Sequence, residues 1–272
     1  MRKAYFIGLV LLATLCSQPA AVHAASCTDV FPDGASTHTN NKKVKFESGA
    51  SISGSPDNIL HTKDVHGSGE SNSCGSGTPC QDNNSRSETG DFNSFPNGSD
   101  VTVDEESTQT LSPGNYDELK VEEEGTLVLS PGTYTFKKKF KMEEDSVLRI
   151  SSAGTVRIYV KEDIELEEDV VVNSQAGDRR LFFYTRKKFK TDEDVTVKAV
   201  IYAKDDVELD DDNTIVGAVT GKEVELKENT TIQFSASMVS GTDFSNFCTS
   251  SAPPAPGFSK AFAPASIGQG GT

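Results

Sequence analysis

A short acidic repeat fills residues 101–234 and limits the possible folds more than any other feature of the chain. Each copy begins with a residue triplet whose first and third positions are usually apolar. Three further residues follow, and they are all acidic in six of the seven copies. The copies begin at Val101, Leu119, Phe140, Ile164, Phe189, Val207 and Val224, and an eighth, degenerate copy begins upstream at Val44.

The distance between successive copies varies from 17 to 25 residues, which is the length of one coil of a β-solenoid. Apolar residues alternate with polar ones within each copy, and Pro-Gly or Ala-Gly turns separate the strands. The sequence therefore predicts an all-β fold, a single-stranded parallel β-helix of about seven or eight coils. The general preference of parallel connections makes it right-handed. An antiparallel β-sandwich is the alternative, because the acidic segments could also be hairpin turns.

The chain divides into three parts. Residues 1–24 have the pattern of a secretory signal peptide, with Arg2 and Lys3 before an apolar run and small residues at Val22 and Ala24. Residues 25–248 form the predicted β-helix domain, with a Ser/Gly-rich insertion at 53–98 that lies beside the rod or partly caps it. Residues 249–272 are rich in Pro, Ala and Gly and are predicted to be a disordered tail. We expect an exported protein at the outer surface of a Gram-negative bacterium, with the periplasm as the alternative.

Four cysteines remain after the predicted signal peptide, and an oxidising compartment favours disulfides. The flexible turn between Cys74 and Cys80 favours a bond between these two residues. Cys27 would then pair with Cys248 and join the ends of the domain. The alternative is a zinc site built from Cys74, Cys80, His61 and His66, although their spacing matches no common zinc finger.

The chain is strongly acidic, and removal of Arg2 and Lys3 with the signal peptide takes its net charge from −15 to −17. This charge argues against nucleic acid and anionic lipid as partners, because both require a basic surface. The apolar run near the N-terminus is shorter than the roughly 20 residues of a membrane span, and we expect no membrane-spanning segment.

Stacked coils would bring the acidic triplets close together, so their repulsion needs compensation. Solvated turns flanked by lysines are the preferred interpretation, and a calcium site is the alternative. The lysines are Lys120, Lys139, Lys141, Lys190, Lys204 and Lys222. The candidate calcium ligands are Asp192, Glu193, Asp194, Asp210, Asp211 and Asp212.

A basic cluster surrounds the apolar segment 181–184 and is a candidate site for an acidic polysaccharide. It consists of Arg179, Arg180, Arg186 and Lys187. The chain carries no recognisable nucleophile, phosphate-loop or zinc-protease motif, and the acidic residues recur in nearly every copy, unlike a catalytic pair. We therefore predict a protein that is not an enzyme, with a polysaccharide lyase or hydrolase as the alternative.

The segment Cys27-Thr-Asp-Val-Phe-Pro-Asp-Gly34, the Ser/Gly-rich loop and the acidic solenoid together resemble the N-terminal region of MshQ-type proteins of the mannose-sensitive haemagglutinin (MSHA) pilus system. The resemblance implies an exported surface scaffold or adhesin-like protein linked to type IV pilus biogenesis. Its partners would be pilus or envelope components, or surface carbohydrate. Self-assembly into a surface filament through open coil ends is a further alternative.

Overall fold

The computed structural model describes residues 26–55, 57–67, 73–75 and 78–248. The predicted signal peptide and the predicted tail lie outside the described residues. The elements are, in chain order, α1 Cys27–Val30, β1 Ala35–Thr37, β2 Lys43–Phe46, β3 Ser51–Ser53, β4 Ile59–Leu60, β5 Asp64–Gly67, β6 Ser73–Cys74, β7 Gln81–Asp82, β8 Ser99–Val103, β9 Thr108–Leu111, β10 Gly114–Val121, β11 Thr126–Leu129, β12 Gly132–Phe136, β13 Phe140–Met142, β14 Val147–Ile150, β15 Gly154–Val160, β16 Ile164–Leu166, β17 Val171–Val172, β18 Arg179–Thr185, β19 Phe189–Thr191, β20 Thr196–Ala203, β21 Val207–Leu209, β22 Thr214–Gly221, β23 Val224–Leu226, β24 Thr231–Phe234 and α2 Ala236–Gly241.

The strands stack in parallel to form three faces of a β-solenoid, which confirms the predicted all-β parallel β-helix. Each face contributes a column of inward-pointing side chains, and the three columns meet in one continuous core. In stacking order, the first column is Val101, Leu119, Phe140, Ile164, Phe189, Val207, Val224, Val44 and Val65. The second is Gln109, Leu127, Leu148, Val172, Val197, Ile215, Ile232, Ile52 and Cys74. The third includes Tyr134, Ile158, Phe183, Ile201, Val219 and Ala35. The sandwich alternative is wrong, because every pairing between these strands is parallel.

The order of the coils in space differs from their order in the chain. Val224, in the last copy of the repeat, pairs with Val207 on one side and with Val44 on the other. Val44 in turn pairs with Val65. The two N-terminal coils therefore extend the rod beyond its C-terminal coil. The rod has about nine coils and a length of about 40 Å.

The predicted insertion at 53–98 consists of two different parts. Its first part supplies β5 and β6, which form the ninth coil, so residues 64–67 and 73–74 belong to the rod rather than to a side loop. Residues 83–98, which we call the strap, then return along the third face to the coil that begins at Ser99. The strap follows this path because the next coil of the chain lies at the opposite end of the rod.

The strap is held at points along its whole length. Near its start, the backbone N–H of Ser87 donates to the carbonyl of Thr37 over 2.9 Å. In its middle, Asp91 accepts hydrogen bonds from the Tyr184 hydroxyl at 3.1 Å and from Lys204 at 2.8 Å. Near its end, Asn97 accepts a hydrogen bond from Lys137 at 2.6 Å. The strap therefore ties coils at both ends of the rod into one body.

A second apolar cluster covers the outer side of the third face. The rings of Tyr159, Tyr184 and Tyr202 project outward from consecutive coils and are completely buried or nearly so. Phe92 of the strap stacks on Tyr159 with ring centroids 3.7 Å apart. Phe31 and Phe247 pack on the same face. Burial raises the pKa of Tyr159 to about 12, and it also raises the pKa of Tyr184 and of Tyr202.

Both predicted disulfides are present. Cys27 bonds Cys248 across 221 residues of sequence. The bond joins the segment that contains Phe31 to the segment that contains Phe247, and both segments pack on the third face. Cys74 bonds Cys80 at the end of the second column. The zinc alternative is therefore wrong for these two cysteines, because their sulfurs are bonded to each other.

Candidate functional site

The acidic triplets form the corner between the first and second faces. The third residue of each triplet has a left-handed backbone conformation, with φ between 54° and 56° in all seven copies. These residues are Glu106, Glu124, Asp145, Asp169, Asp194, Asp212 and Asn229. Asn and Asp tolerate this conformation better than other residues with a side chain, and Gly49 takes the same place in the upstream copy.

Backbone hydrogen bonds continue from coil to coil through these corners. The N–H of Asp145 donates to the carbonyl of Glu168 at 3.1 Å, and the N–H of Asp169 donates to that of Glu193 at 3.2 Å. Each left-handed residue turns its N–H toward the next coil and satisfies a backbone group that would otherwise need water. The acidic repeat therefore has a structural role in the turn that does not depend on a ligand.

Lysines neutralise mainly the first carboxylate of a triplet. Lys120 and Lys141 each lie within 3.2 Å of Glu143. Although partial burial of Glu143 acts in the opposite direction, hydrogen bonds from these lysines hold its pKa below the usual value. Lys227 contacts both carboxylate oxygens of Asp210 at 3.0 Å.

The other predicted lysines have different partners. Lys139 pairs with Glu165 and Lys190 with Glu208, both on strands of the first face. Lys222 pairs with Asp205, at a different corner of the rod. Lys204 pairs with Asp91 of the strap, so its predicted role at the acidic corner is wrong. The reason is that the strap passes directly over this lysine.

The candidate calcium ligands do not share one environment. Burial, followed by the carboxylates of Glu167 and Asp210, raises the pKa of Asp192. Glu193 lies next in the same triplet, and its pKa is also raised, by desolvation and then by Glu168 and Asp211.

The remaining candidates contribute to the turns. Asp194 and Asp212 are left-handed turn residues, and Asp211 accepts a hydrogen bond from the N–H of Glu228 at 2.9 Å. In the part of the chain that the structure describes, no three His, Cys, Asp or Glu side chains converge as a set of metal ligands. Calcium binding at this corner stays a prediction.

The structure separates the predicted basic cluster into two parts. Arg179 and Arg180 lie at the start of β18, whereas Arg186 and Lys187 follow its end, about 20 Å away. Arg179 donates to the carbonyls of Ile150 and Ala176 and thereby holds a neighbouring turn. The four side chains therefore form two separate basic patches at opposite ends of β18, and binding of an acidic polysaccharide by them stays a prediction.

A polar cleft lies at the end of the rod that the N-terminal coils form. It has a volume of about 230 Å³, and its walls are residues 39–41, residues 84–86 and Lys63. A shallower depression of about 410 Å³ adjoins it and shares Asn41 and Lys63. Sequence reasoning missed this cleft because its walls come from three segments that are each separated by about 20 residues. The adjacent pairs Asn40-Asn41 and Lys42-Lys43 were the only local signal.

A family model matches residues 64–240, which is more than half of the chain. The chain belongs to the DUF7305 family. The family's description is "Domain of unknown function (DUF7305)", so the match gives no activity and no link to MshQ-type proteins. No curated protein and no solved structure matches the chain. The matched segment begins in the ninth coil of this DUF7305 protein and ends in α2. Within the described residues, no helix is both long and apolar enough to cross a membrane.

Proposed function

We propose that this DUF7305 protein is an exported, non-enzymatic scaffold at the bacterial surface, adhesin-like and associated with MSHA-type pilus biogenesis. The observation that supports it best is that three independent features hold distant parts of the rod together. The N-terminal coils dock on the C-terminal coil, and the strap runs back along the third face. The Cys27–Cys248 bond joins the two segments whose Phe31 and Phe247 pack on that face. Such a body is held in one shape by contacts between its own segments and suits a part that holds other groups at fixed positions.

Two further features support this role. The four cysteines among the described residues are oxidised, which agrees with a compartment outside the cytoplasm. The repeated carboxylates serve the turns and the ion pairs of the rod, which accounts for their recurrence without a reaction.

Self-assembly is the weaker alternative. Among the described residues, Ile59 is the only exposed large apolar side chain, at 38 % exposure. Open apolar ends were the feature that would favour a filament, and a single exposed isoleucine does not provide such a surface.

The proposal can be tested by deletion of the gene in the bacterium that carries it. We expect fewer surface pili or weaker attachment to surfaces, and recovery of both when the wild-type gene is returned. Labelling of intact cells with a membrane-impermeant amine reagent should modify exposed lysines such as Lys161 and Lys187, with a periplasmic protein as the unlabelled control. Unchanged pili and attachment in the deletion strain would contradict the proposed role.

A further inference from the structure

The polar cleft concentrates positive charge on a strongly acidic protein. Lys63 and Arg86 line it, and no carboxylate does, although the chain contains 41 acidic residues. Lys42 and Lys43 line the adjoining depression together with Asp64. Lys42 is partly neutralised by Glu223 at 3.6 Å, whereas Lys43 has no ion-pair partner among the described residues. An anionic group would therefore meet a locally favourable charge.

A comparison with another groove of the rod supports this assignment. A groove of about 170 Å³ on the first face also has two lysines in its walls, Lys190 and Lys227, but its lining includes four carboxylates. There, however, Lys227 is paired with Asp210 and Lys190 faces Glu208. An anion would have to displace these carboxylates, which makes the first-face groove the poorer site.

The cationic groups of the cleft are held in place by the fold. The guanidinium of Arg86 donates one hydrogen bond to the carbonyl of His38 at 3.2 Å. His38 is itself fixed, because its ring bonds the carbonyl of Ala203 at 2.9 Å and stacks on Tyr202. The ammonium group of Lys63 bonds the side-chain oxygen of Asn84. A ligand would therefore meet side chains that have already lost part of their rotational freedom.

The uncharged groups of the cleft point to the rest of the ligand. Thr39, Asn40, Asn41, Asn84 and Ser85 provide hydroxyl and amide groups that both donate and accept hydrogen bonds. This combination matches the hydroxyl groups of a sugar. The lining contains no aromatic ring on which a nucleic-acid base could stack, and the overall negative charge disfavours a long polyanion.

We propose that this cleft binds a short saccharide bearing carboxylate groups, such as a uronic-acid oligomer. Lys63 and Arg86 would contact the carboxylate, and the amides and hydroxyls would contact the sugar hydroxyls. The proposal deepens the adhesin-like role proposed above and rests on it for its biological meaning, but the binding itself is a property of the purified protein.

The test is isothermal titration calorimetry on the oxidised protein with a trimer of galacturonic acid. The neutral galactose trimer and sodium sulfate serve as comparison probes. We expect the acidic trimer to bind at least tenfold more tightly than either comparison probe, and more weakly at high salt because charge attraction is screened. Equal affinity for the neutral trimer, or for sulfate, would overturn the proposal.

Point variants locate the site. Lys63→Gln and Arg86→Gln should each weaken binding of the acidic trimer about tenfold, which corresponds to about 1.4 kcal/mol. Lys161→Gln is the matched control, because Lys161 is an exposed lysine of the same rod remote from the cleft, and it should leave the affinity unchanged. Equal losses for Lys63→Gln and Lys161→Gln would refute the assignment, and circular dichroism checks that each variant is folded.

The two proposals fail in different ways. If the deletion strain attaches poorly but the purified protein does not bind the acidic trimer, the scaffold role is supported and saccharide binding by the cleft is refuted. If the purified protein binds the acidic trimer specifically but the deletion strain has normal attachment and pili, saccharide binding by the cleft is supported and the proposed surface role is refuted.

Discussion

The two disulfides allow a comparison within one chain, because they close loops of very different size. Cys27–Cys248 spans 221 residues and Cys74–Cys80 spans 6. All four side chains are buried to within 5 % exposure. Replacement of either pair with alanine therefore removes similar packing. The two losses of folding stability should differ mainly because the unfolded chain regains a different amount of conformational freedom in each variant.

The size of each loss follows from the loop lengths. In the chain-entropy description, the stability that is lost when a disulfide is removed grows with the logarithm of the length of the loop that it closes. For the long loop this gives about 5 kcal/mol, and for the short loop about 2 kcal/mol. We therefore expect the Cys27→Ala/Cys248→Ala variant to be about 3 kcal/mol less stable than the Cys74→Ala/Cys80→Ala variant.

Urea unfolding at 25 °C, followed by circular dichroism, measures both free energies of unfolding. The slope of the transition should be larger for the Cys27→Ala/Cys248→Ala variant, because the 221-residue crosslink that the other variant retains keeps its unfolded chain more compact. Equal losses, or a larger loss for the short loop, would refute the reasoning. Such a result would mean that the unfolded chain does not gain the additional freedom that its loop lengths imply.

Four further predictions follow from single side chains. Asp145→Val should destabilise the rod by about 1–2 kcal/mol, because a β-branched residue is strained in the left-handed turn, whereas Asp145→Gly should be tolerated. Asp192→Asn should stabilise the protein at pH 7, because burial and neighbouring carboxylates raise the pKa of Asp192 and disfavour its ionised form in the fold. Asp205→Asn should destabilise it at pH 7, because a hydrogen bond from Lys222 lowers the pKa of Asp205. Phe92→Ala should accelerate hydrogen exchange in the strap, because it removes the ring that stacks on the outer aromatic cluster.

Each of these predictions has a clear contrary result. Equal stability of the valine and glycine variants at the turn would show that its left-handed conformation is unimportant. The ordinary pKa of Asp is about 3.9. Well below this pH, the stability differences between each asparagine variant and the wild-type protein should disappear, because the carboxyls are then protonated in both the folded and the unfolded state. Differences that persist there would contradict the electrostatic explanation. Uniform acceleration of exchange across all coils would show that the strap does not act locally.

The repeat was sufficient to predict the fold, because its physical signal is local. An apolar position eight residues after each start, as at Leu127 and Leu148, can be buried on every coil only if the strands stack in parallel. The acidic triplets were correctly interpreted as corners. The need for a left-handed residue at their third position, as at Asp145, was not recognised, although Asn229 and Gly49 at equivalent places suggest it.

The order of the coils could not be read from the sequence. Val44 can pair with Val224 as well as with Val101, because aliphatic residues at equivalent positions of a solenoid offer each other the same surface. The strap also carries no periodic pattern, and its partners, such as Tyr184 and Lys204, are about 90 or more residues away. The polar cleft was missed for the same reason, since it exists only once the N-terminal coils and the strap have docked.

The bond between Cys27 and Cys248 also determines how the protein responds to tension. Its two Cα atoms lie 5.1 Å apart, so a pull on the segments that flank these cysteines is carried across the disulfide. The nine coils then lie outside the path of the load and are not unwound by it. After reduction, the same pull would act first on the apolar packing of Phe31 and Phe247, and the rod would begin to open from its covered face.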